Sequence, residues 1–216
     1  MMGRGMGADR RPLPPLHAVT DGAVLARADF ERVAGEVMAV CGARVAVHVR
    51  GPRVSGRRVY EVAARLAEIA RTTGALVIVN DRVDLALAAG ADGVQLGRRG
   101  IAIADARAVA GGGTRIGASV HGVEEGREAV DAGAEWLLAG SIYPTGSHPG
   151  QPGAGPGLIG RMVALGRPVI GIGGITPERA REVRGAGAAG VAAIRGIWEQ
   201  PSPARAARAY IEAWQS

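Results

Sequence analysis

Eight short apolar runs, each followed by a stretch with helical spacing, leave few folds open to this chain. The runs are Leu16–Thr20, Arg44–Arg50, Ala75–Asn80, Gly93–Leu96, Arg115–Ser119, Trp136–Ala139, Pro168–Ile172 and Gly190–Ile194. Between them, stretches such as Gly56–Arg71 and Glu124–Asp131 place apolar residues at helical spacing among Arg and Glu. Three similar phrases, Ala89-Gly-Ala-Asp-Gly93, Asp131-Ala-Gly-Ala-Glu135 and Gly185-Ala-Gly-Ala-Ala189, mark helix ends closed by glycine before the next strand. Regular alternation of this kind predicts a parallel sheet with right-handed crossovers, and eight units close it into a (β/α)8 TIM barrel, an α/β single domain over residues 16–216. An open doubly wound sheet is the alternative, and it would need fewer units. Residues 1–15, rich in Arg and Pro and without an apolar segment, are expected to form a disordered N-terminal tail.

Composition narrows the function. Hydrophobic residues make up 47% of the 216 residues but aromatics only 3%, which suits strands of Val, Ile, Leu and Ala buried on both faces. The formal charge of +6 does not point to nucleic acid, because the arginines are spread through helical stretches rather than gathered with aromatics. All 26 basic residues are Arg, so no lysine is present to form a Schiff base and aldolase-type chemistry is excluded. No apolar run approaches the roughly 18 residues of a membrane span. Cys41, the single cysteine, is expected to be a packed, inert thiol in a soluble, cytoplasmic protein.

Two glycine-loaded segments carry the strongest functional signal: Pro168-Val-Ile-Gly-Ile-Gly-Gly-Ile-Thr176 and Gly190-Val-Ala-Ala-Ile-Arg-Gly-Ile197. Each is a strand-like run that breaks into glycine where a helix should begin, so backbone N–H groups can approach an anion closely. Cups in the last two units of a barrel are where a substrate phosphate is usually held, which nominates Gly173, Gly174, Ile194, Arg195 and Gly196. The alternative for either segment alone is a tight strand-to-helix turn.

Active sites of such barrels lie at the C-terminal ends of the strands. The polar residues closing each run are Asp21, His48 and Arg50, Asn80 and Asp81, Gln95, Ser119 and His121, and Ser141 with Thr145, Ser147 and His148. The set is rich in proton-transfer and anion-binding groups and poor in metal ligands. His121, where the fifth run turns into a helix, suits general acid-base work near neutral pH; capping that helix is its structural alternative. Arg50 suits bidentate binding of a carboxylate or phosphate, with a surface ion pair as the alternative. Asp81 could hold a metal, orient a substrate or cap the next helix. His17 is expected to be packed and hydrogen-bonded inside the barrel. The long connection Ser141 to Gly157 hangs over the same face and has the length of a lid.

With these residues in hand, the chain resembles the thiamine phosphate synthase superfamily along essentially its whole length after the tail. The segments that carry the resemblance are Leu16-His-Ala-Val-Thr-Asp21, Ile78-Val-Asn-Asp-Arg-Val-Asp-Leu-Ala-Leu87, Ile116-Gly-Ala-Ser-Val-His121, Ile142-Tyr-Pro-Thr145 and Ile170-Gly-Ile-Gly-Gly-Ile-Thr176. The resemblance implies a (β/α)8 barrel that binds a thiazole phosphate through the two cups. It also separates two activities. A synthase joins hydroxymethylpyrimidine diphosphate to the thiazole phosphate and needs Mg²⁺ and basic residues on the diphosphate. Its Arg-Glu-Lys, Gly-Gln-Glu-Asp and Thr-x-Thr-Lys stand here as Arg50-Gly51-Pro52, Gly97-Arg98-Arg99-Gly100 and Thr145-Gly146-Ser147-His148. Both lysines and one metal carboxylate are absent.

The resemblance is therefore placed in the thiazole tautomerase branch, on Leu16-His-Ala, Gly93-Val-Gln-Leu96 and Ser119-Val-His121. The expectation is an isomerase that aromatises a small phosphorylated carboxythiazole, with His121 moving the proton. Arg50 or the Ser147-His148 loop would hold the carboxylate, and Asn80, Asp81, Ser119 and Thr145 would line the substrate. No metal or other cofactor is expected, and no nucleic-acid or membrane partner; relatives form dimers and tetramers. A divergent synthase using Mg²⁺ and a non-catalytic regulator of thiamine metabolism are the alternatives.

Overall fold

Each apolar run becomes a strand buried on both faces, because barrel interior lies on one side and a helix on the other. The computed structural model describes residues 11–146, 150 and 152–216. In order come β1 (Leu16–Val19), α1 (Gly22–Leu25), α2 (Phe30–Cys41), β2 (Val45–Val49), α3 (Gly56–Thr73), β3 (Leu76–Asn80), α4 (Val83–Ala89), β4 (Gly93–Leu96), α5 (Ile103–Ala110) and β5 (Arg115–Val120). There follow α6 (Val123–Asp131), β6 (Trp136–Ala139), α7 (Gly157–Val163), β7 (Val169–Ile172), α8 (Pro177–Gly185), β8 (Gly190–Ala193), α9 (Arg195–Trp198) and α10 (Pro203–Gln215). Every strand pairs in parallel with the next, and β8 returns to β1 with Leu16 opposite Val191, so these eight strands form a closed barrel. The (β/α)8 expectation is met in a single domain, and the strand ends fall within one residue of the apolar runs.

The outer helices show why the sequence folds this way. In α2, Phe30, Val33, Ala34, Val37, Met38 and Cys41 recur at helical spacing, and all are buried against the barrel. In α3 the start is fixed by Ser55, whose side chain accepts the Arg58 N–H, and the end by Gly74 in a left-handed conformation at φ +78°. Cys41 closes α2 with its thiol buried, and burial pushes its pKa up to about 11, as suits an unreactive packed group.

Residues 1–10 of the expected tail lie outside the described residues. Residues 11–15 run across the N-terminal end of the barrel. Arg11 donates to Gly74 O and Asp92 Oδ1, both at 2.8 Å, and Pro15 O accepts the Val191 N–H at 2.9 Å. Among the described residues no helix is long and apolar enough to cross a membrane.

Inside the barrel the main bulk is Trp136, packed with Val19, Ala46, Ile78 and Ile170. The neighbouring strands make room for it with glycine: a Cβ on Gly93 would stand 3.3 Å from its ring, and one on Gly117 would overlap it. Gly117→Ala therefore overpacks the interior. It is expected to cost about 1–3 kcal/mol, lowering Tm by roughly 2–12 °C in a thermal melt. An unchanged melting curve would mean that Trp136 can move aside.

Candidate active site

The strand ends open into a cleft of about 1080 Å³. It gathers His121, Arg50, Asn80, Asp81, Ser119 and Thr145 with Gly173, Gly174, Ile194, Arg195 and Gly196. Ser147 and His148 lie outside the described residues.

The first cup follows β7. Gly173 and Gly174 have φ of +102° and +61°, conformations that side chains disfavour. Space is equally restrictive, since a Cβ on Gly174 would stand 2.5 Å from Pro144 O and 2.9 Å from Tyr143 Cβ. The base of the long loop is bonded here, with Ile142 N–H on Ile172 O and Tyr143 N–H on Gly173 O, each at 2.9 Å. The second cup, Ile194-Arg195-Gly196, follows β8. Among the described residues, no turn or loop carbonyl takes the backbone N–H of Gly173, Gly174, Arg195 or Gly196.

Tyr210 on α10 ties the cups together. Its hydroxyl donates to Ile175 O at 2.8 Å beside the first cup, and it occupies the space next to Gly196 that a Cβ would need. Burial pushes its pKa up to about 12, so it stays a neutral donor. Nothing in the sequence pointed to Tyr210 beyond its place with Ala207 and Ile211 on the buried stripe of α10.

Cationic side chains line much of the remaining rim. Arg50 enters from the end of β2, where its N–H donates to Thr20 Oγ1 at 2.8 Å. The Thr20 hydroxyl in turn donates between Arg50 O and His48 O, at 2.8 and 3.0 Å. Arg98 and Arg99 enter from the turn after β4, and Arg195 from the second cup, with its guanidinium against Gly146. Among the described residues, no carboxylate pairs with Arg50, Arg99 or Arg195.

Asp81 stands between these groups with a left-handed backbone at φ +63°. Its Oδ1 accepts the Gly97 N–H at 2.8 Å. It braces the β4 turn and does not cap α4, which begins after Arg82 with no side-chain cap bond.

His121 is half-exposed, and both its backbone N–H and its ring are held by Glu125 on α6. Its N–H donates to Glu125 Oε2 at 2.8 Å and its Nδ1 lies 3.3 Å from the same oxygen. Arg98 approaches Glu125 Oε1 at 3.5 Å. Burial works to raise the Glu125 pKa, but the His121 N–H and ring and the Arg98 charge outweigh it and hold the carboxyl below its ordinary value. Glu125 lay outside the expected set; its place in the first turn of α6, four residues on from His121, was the available signal.

Below the cleft, the interior-facing His17 and His48 meet with Nδ1 and Nε2 2.7 Å apart, both fully buried. Desolvation lowers the His17 pKa to about 3, and desolvation with the neighbouring His17 holds His48 well below its ordinary value. Among the described residues His17 Nε2, His48 Nδ1 and Asn80 Oδ1 have no hydrogen-bond partner. Gln95 spans the interior, accepting from Trp136 Nε1 at 2.7 Å and donating to Ser119 Oγ at 3.1 Å.

Comparison with known proteins bears on the two activities expected for such a barrel. The chain is 50% identical over 155 residues to the thiamine biosynthesis bifunctional protein ThiM/ThiE of Symbiobacterium thermophilum, covering 70% of this chain and 32% of that longer protein. It is 38% identical over 202 residues to a thiamine-phosphate synthase of Salinispora arenicola, covering 92% and 96% of the two chains. Among solved structures, the thiamine phosphate pyrophosphorylase of Pyrococcus furiosus superposes with a TM-score of 0.81 at 32% identity, covering 95% and 97%.

These relatives overturn the expectation of a thiazole tautomerase, an isomerase with His121 as its base, in favour of the synthase alternative. The structure supplies the physical reason. Absent lysines were counted as absent charge, yet in this lysine-free chain arginines converge on the cleft from other positions. The thiamine monophosphate synthase profile matches residues 16–197, and the chain belongs to that family.

Proposed function

We propose that this chain is a thiamine-phosphate synthase, joining hydroxymethylpyrimidine diphosphate to thiazole phosphate with release of diphosphate. The observation that carries the reading is two anion-binding regions in one cleft: the glycine cups on β7 and β8, and the arginines on β2 and β4. β4 lies half a turn around the barrel from β8. A thiazole phosphate seated in the cups and a diphosphate on the arginine side would bring the two rings together over the barrel centre.

The chemistry is a displacement at the pyrimidine methylene carbon. The thiazole nitrogen forms the new C–N bond as the C–O bond to diphosphate breaks, and the leaving group departs with the electron pair. The protein's task is to hold the two rings in line and to stabilise charge growing on the departing oxygen. Backbone amides of Gly173, Gly174 and Gly196 with Arg195 hold the thiazole phosphate. Arg50, fixed at its backbone by Thr20, meets the diphosphate through paired hydrogen bonds. Asn80 and Ser119 orient the pyrimidine, Ser119 being set by Gln95.

Relatives of this type imply Mg²⁺, and the donor set tests that implication. Among the described residues no group of three His, Cys, Asp or Glu side chains could hold a metal. Asp81 already accepts the Gly97 N–H, and a Cβ at Gly100 would stand 3.2 Å from Asp81 Oδ1, so a second carboxylate position is filled by hydrogen. Mg²⁺ is usually held by one or two carboxylates together with substrate phosphates and water, so Asp81 would hold it with the diphosphate, where it would offset charge on the leaving group; no step is routed through it.

With both substrates present, the protein is expected to release one diphosphate per thiamine phosphate formed, followed by coupled phosphate detection and chromatography. Arg50→Ala should lower kcat/KM about 100-fold, the scale of losing one preorganised charge donor. Absence of product from both substrates with and without Mg²⁺ would refute the assignment.

A further inference from the structure

The first cup is held from behind through three carbonyls in a row. Gly173 O accepts the Tyr143 N–H at 2.9 Å, Gly174 O accepts the Arg179 guanidinium at 2.8 Å, and Ile175 O accepts the Tyr210 hydroxyl at 2.8 Å. In a planar trans peptide the N–H points away from the carbonyl of the same unit. The N–H groups of Gly174, Ile175 and Thr176 are therefore turned away from those three donors, on residues that line the cleft. Among the described residues, no turn or loop carbonyl accepts any of the three.

Of the three donors Arg179 alone is charged, and it stands outside the cleft, exposed in the first turn of α8. Its guanidinium lies over the Tyr143 ring, 4.4 Å from the centroid, which fixes its direction. Tyr143 is held in turn, donating its hydroxyl to Glu182 Oε2 at 2.5 Å. The carboxylates that flank Arg179 in the chain are engaged elsewhere, Glu182 on Tyr143 and Glu178 on Thr176. What Arg179 supplies is thus a bond to one carbonyl rather than a net charge on the cleft wall. A charged donor binds a carbonyl more strongly than a neutral one, and it polarises the peptide so that the N–H at the other end becomes the better donor.

Resting on the synthase reading for the identity of the ligand, we infer that Arg179 is a positioning residue for the substrate phosphate, fixing and polarising the Gly174–Ile175 peptide from outside the cleft so that the Ile175 N–H is aimed at that phosphate. Arg179 itself touches no substrate. Its effect is confined to the ring that binds at the first cup.

The test titrates thiazole phosphate calorimetrically into the full chain. Arg179→Met keeps an unbranched stem beside Tyr143 and removes the guanidinium; the residue is exposed, so the variant should fold normally, which a thermal melt checks. It is expected to bind thiazole phosphate about tenfold more weakly than wild type, the scale of losing one hydrogen bond from a charged group. Arg179→Lys, which restores a charged donor without the planar fork, should recover to within about threefold of wild type. In steady-state assays the loss should fall on the KM for thiazole phosphate, with kcat and the KM for the pyrimidine diphosphate unchanged. An Arg179→Met variant that binds thiazole phosphate like wild type, or that raises both KM values alike, would overturn the inference. Wild type that binds thiazole phosphate but forms no product would fail the synthase reading alone, because the titration scores Arg179 without turnover.

Discussion

A Gly174→Ala variant is expected to raise the KM for thiazole phosphate about 100-fold while leaving the binding of inorganic diphosphate unchanged. Two independent penalties meet at this residue. Its φ of +61° is one that alanine adopts at a cost of about 1–2 kcal/mol. The new methyl would also stand 2.5 Å from the backbone oxygen of Pro144, a neighbour with no rotamer to change. The base of the long loop must then shift, and with it the Gly174 carbonyl that accepts from Arg179 at 2.8 Å. Displacing a positioning element by about 1 Å is enough for a hundredfold loss. Saturation kinetics varying one substrate at a time would resolve the effect. An unaltered KM for thiazole phosphate would remove the first cup from the site.

The second large effect is on stability and concerns the His17–His48 pair. Both pKa values are lowered in the folded state, that of His17 to about 3 and that of His48 well below 6.5. The unfolded chain takes up a proton on each near pH 6.5, while the folded barrel refuses it, so the unfolded state binds more protons below that pH. The pair's contribution is therefore complete above about pH 6.5 and is lost progressively as pH falls toward 3. The slope is at most about 1.4 kcal/mol per pH unit for each histidine, or about 4 kcal/mol for the pair between pH 6.5 and 5. Urea unfolding at pH 7.5, 6.5, 5.5 and 5 measures it. His48→Gln should roughly halve the slope; a wild-type stability flat across this range would show that a proton enters the pair without cost.

How much of this was legible in the sequence depends on the distance over which each feature is determined. The strands and the α2 and α3 faces were legible because period and capping act within a few residues. The cups were legible for the same reason, since Gly173 and Gly174 answer a local backbone demand. Thr20, Glu125 and Tyr210 were harder, because each matters through a partner, and for Tyr210 that partner, Ile175, is 35 residues away. The misjudged activity had a related origin. Arg98 and Arg99 were read at their positions in a motif, as a carboxylate lost, whereas in space they are two positive charges added to the wall that faces the cups. Charge in a cleft is a sum over strands, and one strand's motif does not report it.

Tyr210 has a consequence for what the matched segment can accomplish alone. The match to the family profile ends at residue 197, yet the tie between the two glycine cups comes from the helix beyond it. A truncated chain stopping there would keep every recognised motif and both glycine turns, but would leave Ile175 and Gly196 without their common strut. The packing between the β7 and β8 turns thus depends on a helix that lies beyond the segment matched by the family profile.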